Sequence, residues 1–372
     1  MAEAPAETSR GKLGTLEIGR FIAATTVILN HFETSLAVHL APQSHRWFTG
    51  ILVPGAIGVQ FFFVLSGFVM MTAHAQDFGK AGAVPKFWWR RFCRIYPMYW
   101  IALALPCYLF RDVLTPGLAV KLITLQPVMQ VGDYVPPAWS LRYEISFYIA
   151  FGLCLLPYVG RPILAAWVVA IFWVSVPLSW RVLLHIPAPI ELVRLVYHGY
   201  RGFFTFFEFY FFAGLLGGYL YRSMRLSRFA GVVLILLGVC GICVQAPAMQ
   251  YGFEFGHPMV PAFVGPAFAA VILGLVVLER HGVLRTGRIA RWLGMMSYPL
   301  YILHAGCLLL YDRQFDGVVY GARGWVITVI LGLGVIYAVS AAFTFLVDQP
   351  LQRYLRRGAR GGWESGLPPA RV

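Results

Sequence analysis

Ten apolar windows set the limits on what this chain can become. Runs long enough to span a bilayer fall near 16–36, 52–73, 95–110, 137–157, 162–180, 202–221, 229–247, 260–279, 292–311 and 325–347. Within hydrocarbon every backbone N–H and C=O must be satisfied internally, and windows of this length do so as helices. The expected fold is therefore all-α: a polytopic integral membrane protein of about ten transmembrane helices. The third window is short, and 181–201 reads as an interfacial or re-entrant piece. Only 12% of the 372 residues are charged and 59% are hydrophobic, which leaves too little charge for the surface of a soluble domain of this size. A soluble enzyme is excluded.

The net charge of +14 comes in short basic clusters between the apolar runs, so it reads as membrane topology and not as a nucleic-acid surface. With the N-terminus inside, the inner segments carry Arg10, Lys12, Lys80, Lys86, Arg90, Arg91, Arg94, Arg161, Arg222, Arg225, Arg228, Arg280, Arg285, Arg288 and Arg291. The tail adds Arg353, Arg356, Arg357, Arg360 and Arg371. The outer segments hold Arg46, Arg111, Lys121, Arg181, Arg194, Arg201, Arg313 and Arg323. Both termini are thus expected in the cytoplasm. The division is a cytoplasmic N-terminal tail (1–12), one transmembrane domain (13–350) and a basic cytoplasmic C-terminal tail (351–372), without a cleavable signal peptide. The six cysteines lie in or beside apolar runs and read as packing residues; Cys240 and Cys243 have CxxC spacing inside such a run, and no metal site is expected.

Arg20 and His31 bracket mostly apolar residues in the first window. Eleven positions make about three helical turns, so the two share a face roughly 16 Å apart. Ionisable groups on a membrane helix are costly unless they line a cavity or meet partners. The plain alternative is an interfacial anchor and a packed, hydrogen-bonded histidine. In the fourth window Glu144 lies roughly 10 Å below the outer surface, at a depth similar to His31. Ser140, Glu144, Phe147 and Tyr148 form one stripe, following Trp139. A protonated, purely structural Glu144 is the alternative to a shared polar site. Ser66-Gly67 in the second window suits close helix packing. Arg90 and Arg94 share a face beside Trp88, Trp89 and Tyr96, which fits a topology signal or an inner polyphosphate site. Glu208 adds an acidic group in apolar surroundings, and Ser297, Tyr301 and His304 share a face in the ninth window.

Six blocks occur in order: Leu16-Glu17-Ile-Gly-Arg20 through His31; Phe61 to Phe68; Arg90-Arg91-Phe-Cys-Arg94-Ile-Tyr96-Pro97; Trp139 to Tyr148; Gly294 to His304; and Asp348-Gln-Pro350. Together they resemble the acyltransferase-3 family of integral membrane O-acyltransferases, with Glu17 where many relatives have aspartate. The resemblance implies a multi-pass protein of the bacterial inner membrane. It would move an acyl group, usually acetyl from acetyl-CoA, to a hydroxyl of an extracytoplasmic glycan or lipid-linked saccharide. Acyl-CoA is then a donor substrate and no cofactor is permanently bound; the partners are the bilayer, the donor and the glycan acceptor. Some relatives carry a further extracytoplasmic hydrolase-like domain, so this chain is expected to act alone or with a separate partner.

Acyl transfer needs a base at the acceptor, a group that orients it, and stabilisation of the oxyanion. His31 is assigned as the base, with Glu144 holding the imidazole or stabilising its cation. Arg20 lies along the donor path, and Arg90, Arg91 and Arg94 bind the CoA phosphates. The depth of His31 is comparable to the reach of a phosphopantetheine arm. Ser66, Trp139, Ser140, Tyr148, Glu208, Ser297, Tyr301 and His304 are the candidate substrate-binding residues. Direct transfer and an acyl-enzyme on Ser66, Ser140 or His31 both remain open. The competing reading is a transporter or flippase using the same His, Glu and Arg groups as a proton or anion path, and the lack of paired repeats counts against it.

Overall fold

The computed structural model describes residues 13–37, 56–125, 134–183, 207–250, 259–314 and 322–355. The N-terminal tail, Arg46, Arg194, Arg201 and the C-terminal tail beyond 355 lie outside them, as does most of 181–201. Among the described residues the fold is wholly helical. The elements are α1 (Gly14–Ala37), α2 (Ala56–His74), α3 (Ala83–Leu109), α4 (Pro116–Ile123), α5 (Ala138–Leu153), α6 (Gly160–Leu183), α7 (Glu208–Ser223), α8 (Arg228–Gln250), α9 (Met259–Arg280), α10 (Arg288–Gln314) and α11 (Ala322–Phe343). A π-turn, Thr344–Asp348, continues α11. It falls where Pro350 lacks the N–H that would bond the carbonyl of residue 346.

Each apolar window overlaps a helix, and α4 is a short additional one whose first turn is capped by Thr115. Among the described residues four stretches are long and apolar enough to cross a membrane unaided: Ile57–His74, Phe263–Arg280, Arg288–Gln314 and Ile327–Leu355. Helices α1 and α3 carry charged residues within their length, and α5 is only 16 residues long. These three helices are among those that build the site described below.

Helix α2 is the hub, packing most extensively on α7 and also on α1, α5 and α9. Its approach to α7 depends on Gly67 and Gly214. A Cβ on Gly67 would collide with the carbonyl of Phe211 and the amide of Leu215, and one on Gly214 with the carbonyl of Val64. Backbones this close leave no room for a side chain. Around this contact Phe147 stacks on Phe211 with ring centroids 3.9 Å apart, and Phe63 packs against Phe211 at 5.0 Å. The first helix is capped from a distance: the amides of Gly14 and Thr15 donate to Glu279 of α9 at 2.8 and 3.0 Å, and Thr286 adds a third donor at 2.8 Å. A carboxylate at a helix N-terminus satisfies amides that have no intrahelical partner and opposes the dipole. The outer faces of α8 and α11 expose Leu236, Leu237, Val244, Ile330 and Leu331, an apolar belt suited to lipid. Cys240 and Cys243 are exposed on α8 as well.

Candidate active site

Five helices wall a narrow cavity of about 50 Å³. From α1 comes Arg20 and from α2 Phe62, Ser66 and Met70; from α3 come Arg91 and Arg94; from α5 Ser140, Glu144 and Tyr148; and from α10 Ser297, Tyr298 and Tyr301. The stripes at helical spacing on α5 and α10 thus face each other. Ser140 Oγ and Tyr301 Oη lie 2.7 Å apart, and both sit against the Pro137 carbonyl, at 3.1 and 3.2 Å. Tyr298 donates to the Ile95 carbonyl at 2.7 Å, tying α10 to α3.

Glu144 is held at the centre. It accepts from Ser66 Oγ at 2.8 Å and from the Tyr148 hydroxyl. Ser66-Gly67 therefore does two jobs: the glycine brings α7 close while the serine binds the carboxylate. The Tyr148 ring carries the Arg91 guanidinium at 5.2 Å, and Phe87 carries it at 5.3 Å. Arg91 Nη2 donates to His74 Nε2 at 3.1 Å, whereas its Nε is buried with no hydrogen-bond partner among the described residues. Arg20 pairs with Glu17 one turn away at 3.3 Å. Three guanidiniums thus meet Glu144 in the cavity and Glu17 beside it, an excess of positive charge suited to an anionic ligand.

A second cavity of about 410 Å³ is lined by Thr72, His74, Asp77, Lys86, Arg90 and Arg222. Arg222 donates to the Thr72 carbonyl at 3.1 Å, and His74 Nδ1 lies 2.8 Å from Asp77 Oδ2. The contact between Arg91 and His74 links the wall of one cavity to the wall of the other. Arg90 is exposed and belongs to the outer one, and Arg91 and Arg94, half-buried, belong to the inner one. The pair sharing the inner cavity is spaced i, i+3, and the i, i+4 pair read from the sequence is divided between the two.

His31 meets His304 one turn beyond Tyr301 on α10: its Nδ1 lies 2.8 Å from His304 Nε2, with ring centroids 5.1 Å apart. Sequence depth paired His31 with Glu144; in the structure each has a different hydrogen-bond partner. Matched depth sets the height of two groups but not the direction in which each helix turns them. Trp139 packs on Tyr143 and Phe207 at 6.1 and 5.8 Å, and Glu208 is buried in the first turn of α7; neither lines the inner cavity. Sequence reading passed over Tyr298, the pairing of Glu17 with Arg20, and the group of His74, Asp77, Lys86 and Arg222. The i, i+3 spacing of His74 and Asp77 was the available signal.

A family model described as an acyltransferase domain matches residues 13–345. The chain is 24% identical over 346 residues to the exopolysaccharide production protein ExoZ of Rhizobium meliloti (strain 1021), covering 88% of this chain and 97% of that protein. It is 25% identical over 336 residues to the acyltransferase MdmB of Streptomyces mycarofaciens, covering 82% of each. A shorter match, 31% over 102 residues, covers 27% of this chain and 48% of protein 2 in the picA locus of Rhizobium radiobacter. No solved structure matches the chain.

Proposed function

The chain belongs to the acyltransferase-3 family of integral membrane O-acyltransferases, and from that premise we propose that it moves an acyl group, acetyl from acetyl-CoA, to a hydroxyl of an extracytoplasmic glycan or lipid-linked saccharide. The observation that carries this reading is the series of polar groups from the outer cavity, past Arg91 and along the inner cavity to Tyr301, with the His31–His304 pair one turn further along α10 and outside the cavity lining. The name of one relative, an exopolysaccharide production protein, supports a glycan as acceptor.

The residues suit the donor. Lys86, Arg90 and Arg222 would hold the phosphates in the outer cavity, and the buried, unsatisfied Nε of half-buried Arg91 is a donor suited to an anion or carbonyl. Acyl-CoA supplies an activated thioester carbonyl. His31 takes the proton of the acceptor hydroxyl as its oxygen bonds to that carbonyl carbon. The C–S bond then breaks, and His31 returns the proton to the departing sulfur. Tyr301, which lines the inner cavity one turn before His304, would donate to the oxyanion on exchanging its bond to Ser140 or the Pro137 carbonyl. Glu144 offsets part of the charge of Arg91 and Arg94. At about 50 Å³ the inner cavity takes little more than an acyl-sized group, so the longer donor arm requires its walls to part.

Ten spans with both termini cytoplasmic belong to the same reading. Helix ends assigned to the inner side meet one another: Gly14 with Glu279, Thr72 with Arg222, and Leu226 with His281 at 2.9 Å. The outer cavity then opens toward the cytoplasmic pool of acyl-CoA. The deciding experiment is to quantify ester-linked acyl groups on envelope glycans from cells with the gene, without it, and complemented by His31→Ala. Esters lost on deletion and restored only by the wild-type gene are expected; an ester content indifferent to deletion overturns the reading.

A further inference from the structure

We infer that His304 is the positioning residue that fixes the tautomer of His31 and so leaves His31 Nε2 free to act as a base. The inference rests on the reading of His31 as base and goes beyond it by naming the group that sets its protonation pattern. It follows from a chain of donors and acceptors with one solution. His304 Nδ1 lies 3.3 Å from the Leu300 carbonyl, which can only accept, so Nδ1 carries the proton. In the neutral ring Nε2 of His304 is then a lone pair. That lone pair faces His31 Nδ1 at 2.8 Å, so His31 is the donor and holds its own proton on Nδ1. The remaining nitrogen of His31, Nε2, is therefore the acceptor.

The opposite tautomer would fail. With its proton on Nε2, His31 would present a donor to the acceptor hydroxyl and have no means of removing its proton. His304 is fully buried and His31 partly so, which matches a fixed second residue behind one that meets substrate. When His31 takes the hydroxyl proton on Nε2, its Nδ1–H remains bonded to His304, and no proton needs to pass to the second ring. The Tyr301 ring lies 6.2 Å from that of His304, edge to face.

The test compares His304→Leu, which removes the acceptor, with His304→Gln, whose amide oxygen still accepts. Purified protein in proteoliposomes is assayed with acetyl-CoA and the lipid-linked saccharide fraction of cells lacking the gene. His304→Leu should lower kcat by about a hundredfold or more with little change in the KM for acetyl-CoA, and His304→Gln should recover a substantial part. Nitrogen-15 NMR of histidine-labelled wild-type protein, with the His31 signals identified by their loss in His31→Ala, should show His31 protonated on Nδ1. That readout stands even where a variant folds poorly. An undiminished kcat in His304→Leu while His31→Ala is inactive overturns the positioning role and leaves the base assignment intact; an Nε2-protonated His31 overturns the positioning role and, with it, Nε2 as the basic atom. Retained transfer in His31→Ala overturns both.

Discussion

Arg91 donates to Nε2 of His74 at 3.1 Å while its guanidinium forms part of the inner cavity wall. A guanidinium has no acceptor, so His74 Nε2 carries a lone pair and Nδ1 donates to Asp77 Oδ2 at 2.8 Å. Asp77, His74 and Arg91 form one hydrogen-bonded line from the outer cavity to the inner one.

Breaking that line should loosen the donor site. His74→Leu is expected to raise the KM for acetyl-CoA on the order of tenfold, since a hydrogen bond to a charged group is worth roughly 1.5–3 kcal/mol. His74→Gln, which keeps an acceptor, should do less harm. Steady-state kinetics decide it; a collapse of kcat at unchanged KM would place His74 with the chemistry and not the donor.

Arg90 and Arg91 should respond differently to salt. Exposed Arg90 acts through water and is screened within about 10 Å at 0.1 M ionic strength, whereas half-buried Arg91 is shielded much less. Arg90→Ala should weaken donor binding modestly and flatten its salt dependence. Arg91→Ala should weaken binding more and leave the salt dependence in place. Equal salt slopes in the two variants would argue that both act from the same environment.

His31 and Glu144 have separate hydrogen-bond partners, so their substitutions should combine nearly independently. In a cycle of His31→Gln and Glu144→Gln the coupling should stay within about 0.5 kcal/mol. The cycle of His31→Gln with His304→Leu should instead be strongly non-additive, as for members of one unit. Strong coupling in the first cycle would restore the pairing expected from depth alone.

Gly67→Ala tests the packing of α2 on α7. Its new Cβ meets backbone on α7, which cannot swing aside, so the helices must separate. Overpacking of this kind costs roughly 1–3 kcal/mol. A lower unfolding midpoint in detergent is expected, together with lower activity because Ser66 moves off Glu144. An unchanged midpoint would show that α7 yields more readily than its backbone contact implies.

Much of this protein is local physics and legible in the chain. Hydrophobic runs place the helices, because satisfying backbone groups within lipid requires only the segment itself. The 3.6-residue period places Ser140, Glu144 and Tyr148 on one stripe and Ser297, Tyr301 and His304 on another. Which stripe meets which is not local. Rise along a helix gives a residue's depth, and on depth alone His31 and Glu144 were equally good partners for each other. Helix rotation and neighbour choice decided otherwise. They are set by close contacts such as Gly67 on Phe211 and by the capping of α1 by Glu279, both between residues far apart in the chain. The sequence by itself determined that buried His, Glu and Arg groups would line the interior of a helical membrane protein. Only tertiary packing decided that His31 would face His304 and Glu144 would face Ser66, because azimuth depends on the neighbouring helices and not on the residue's own.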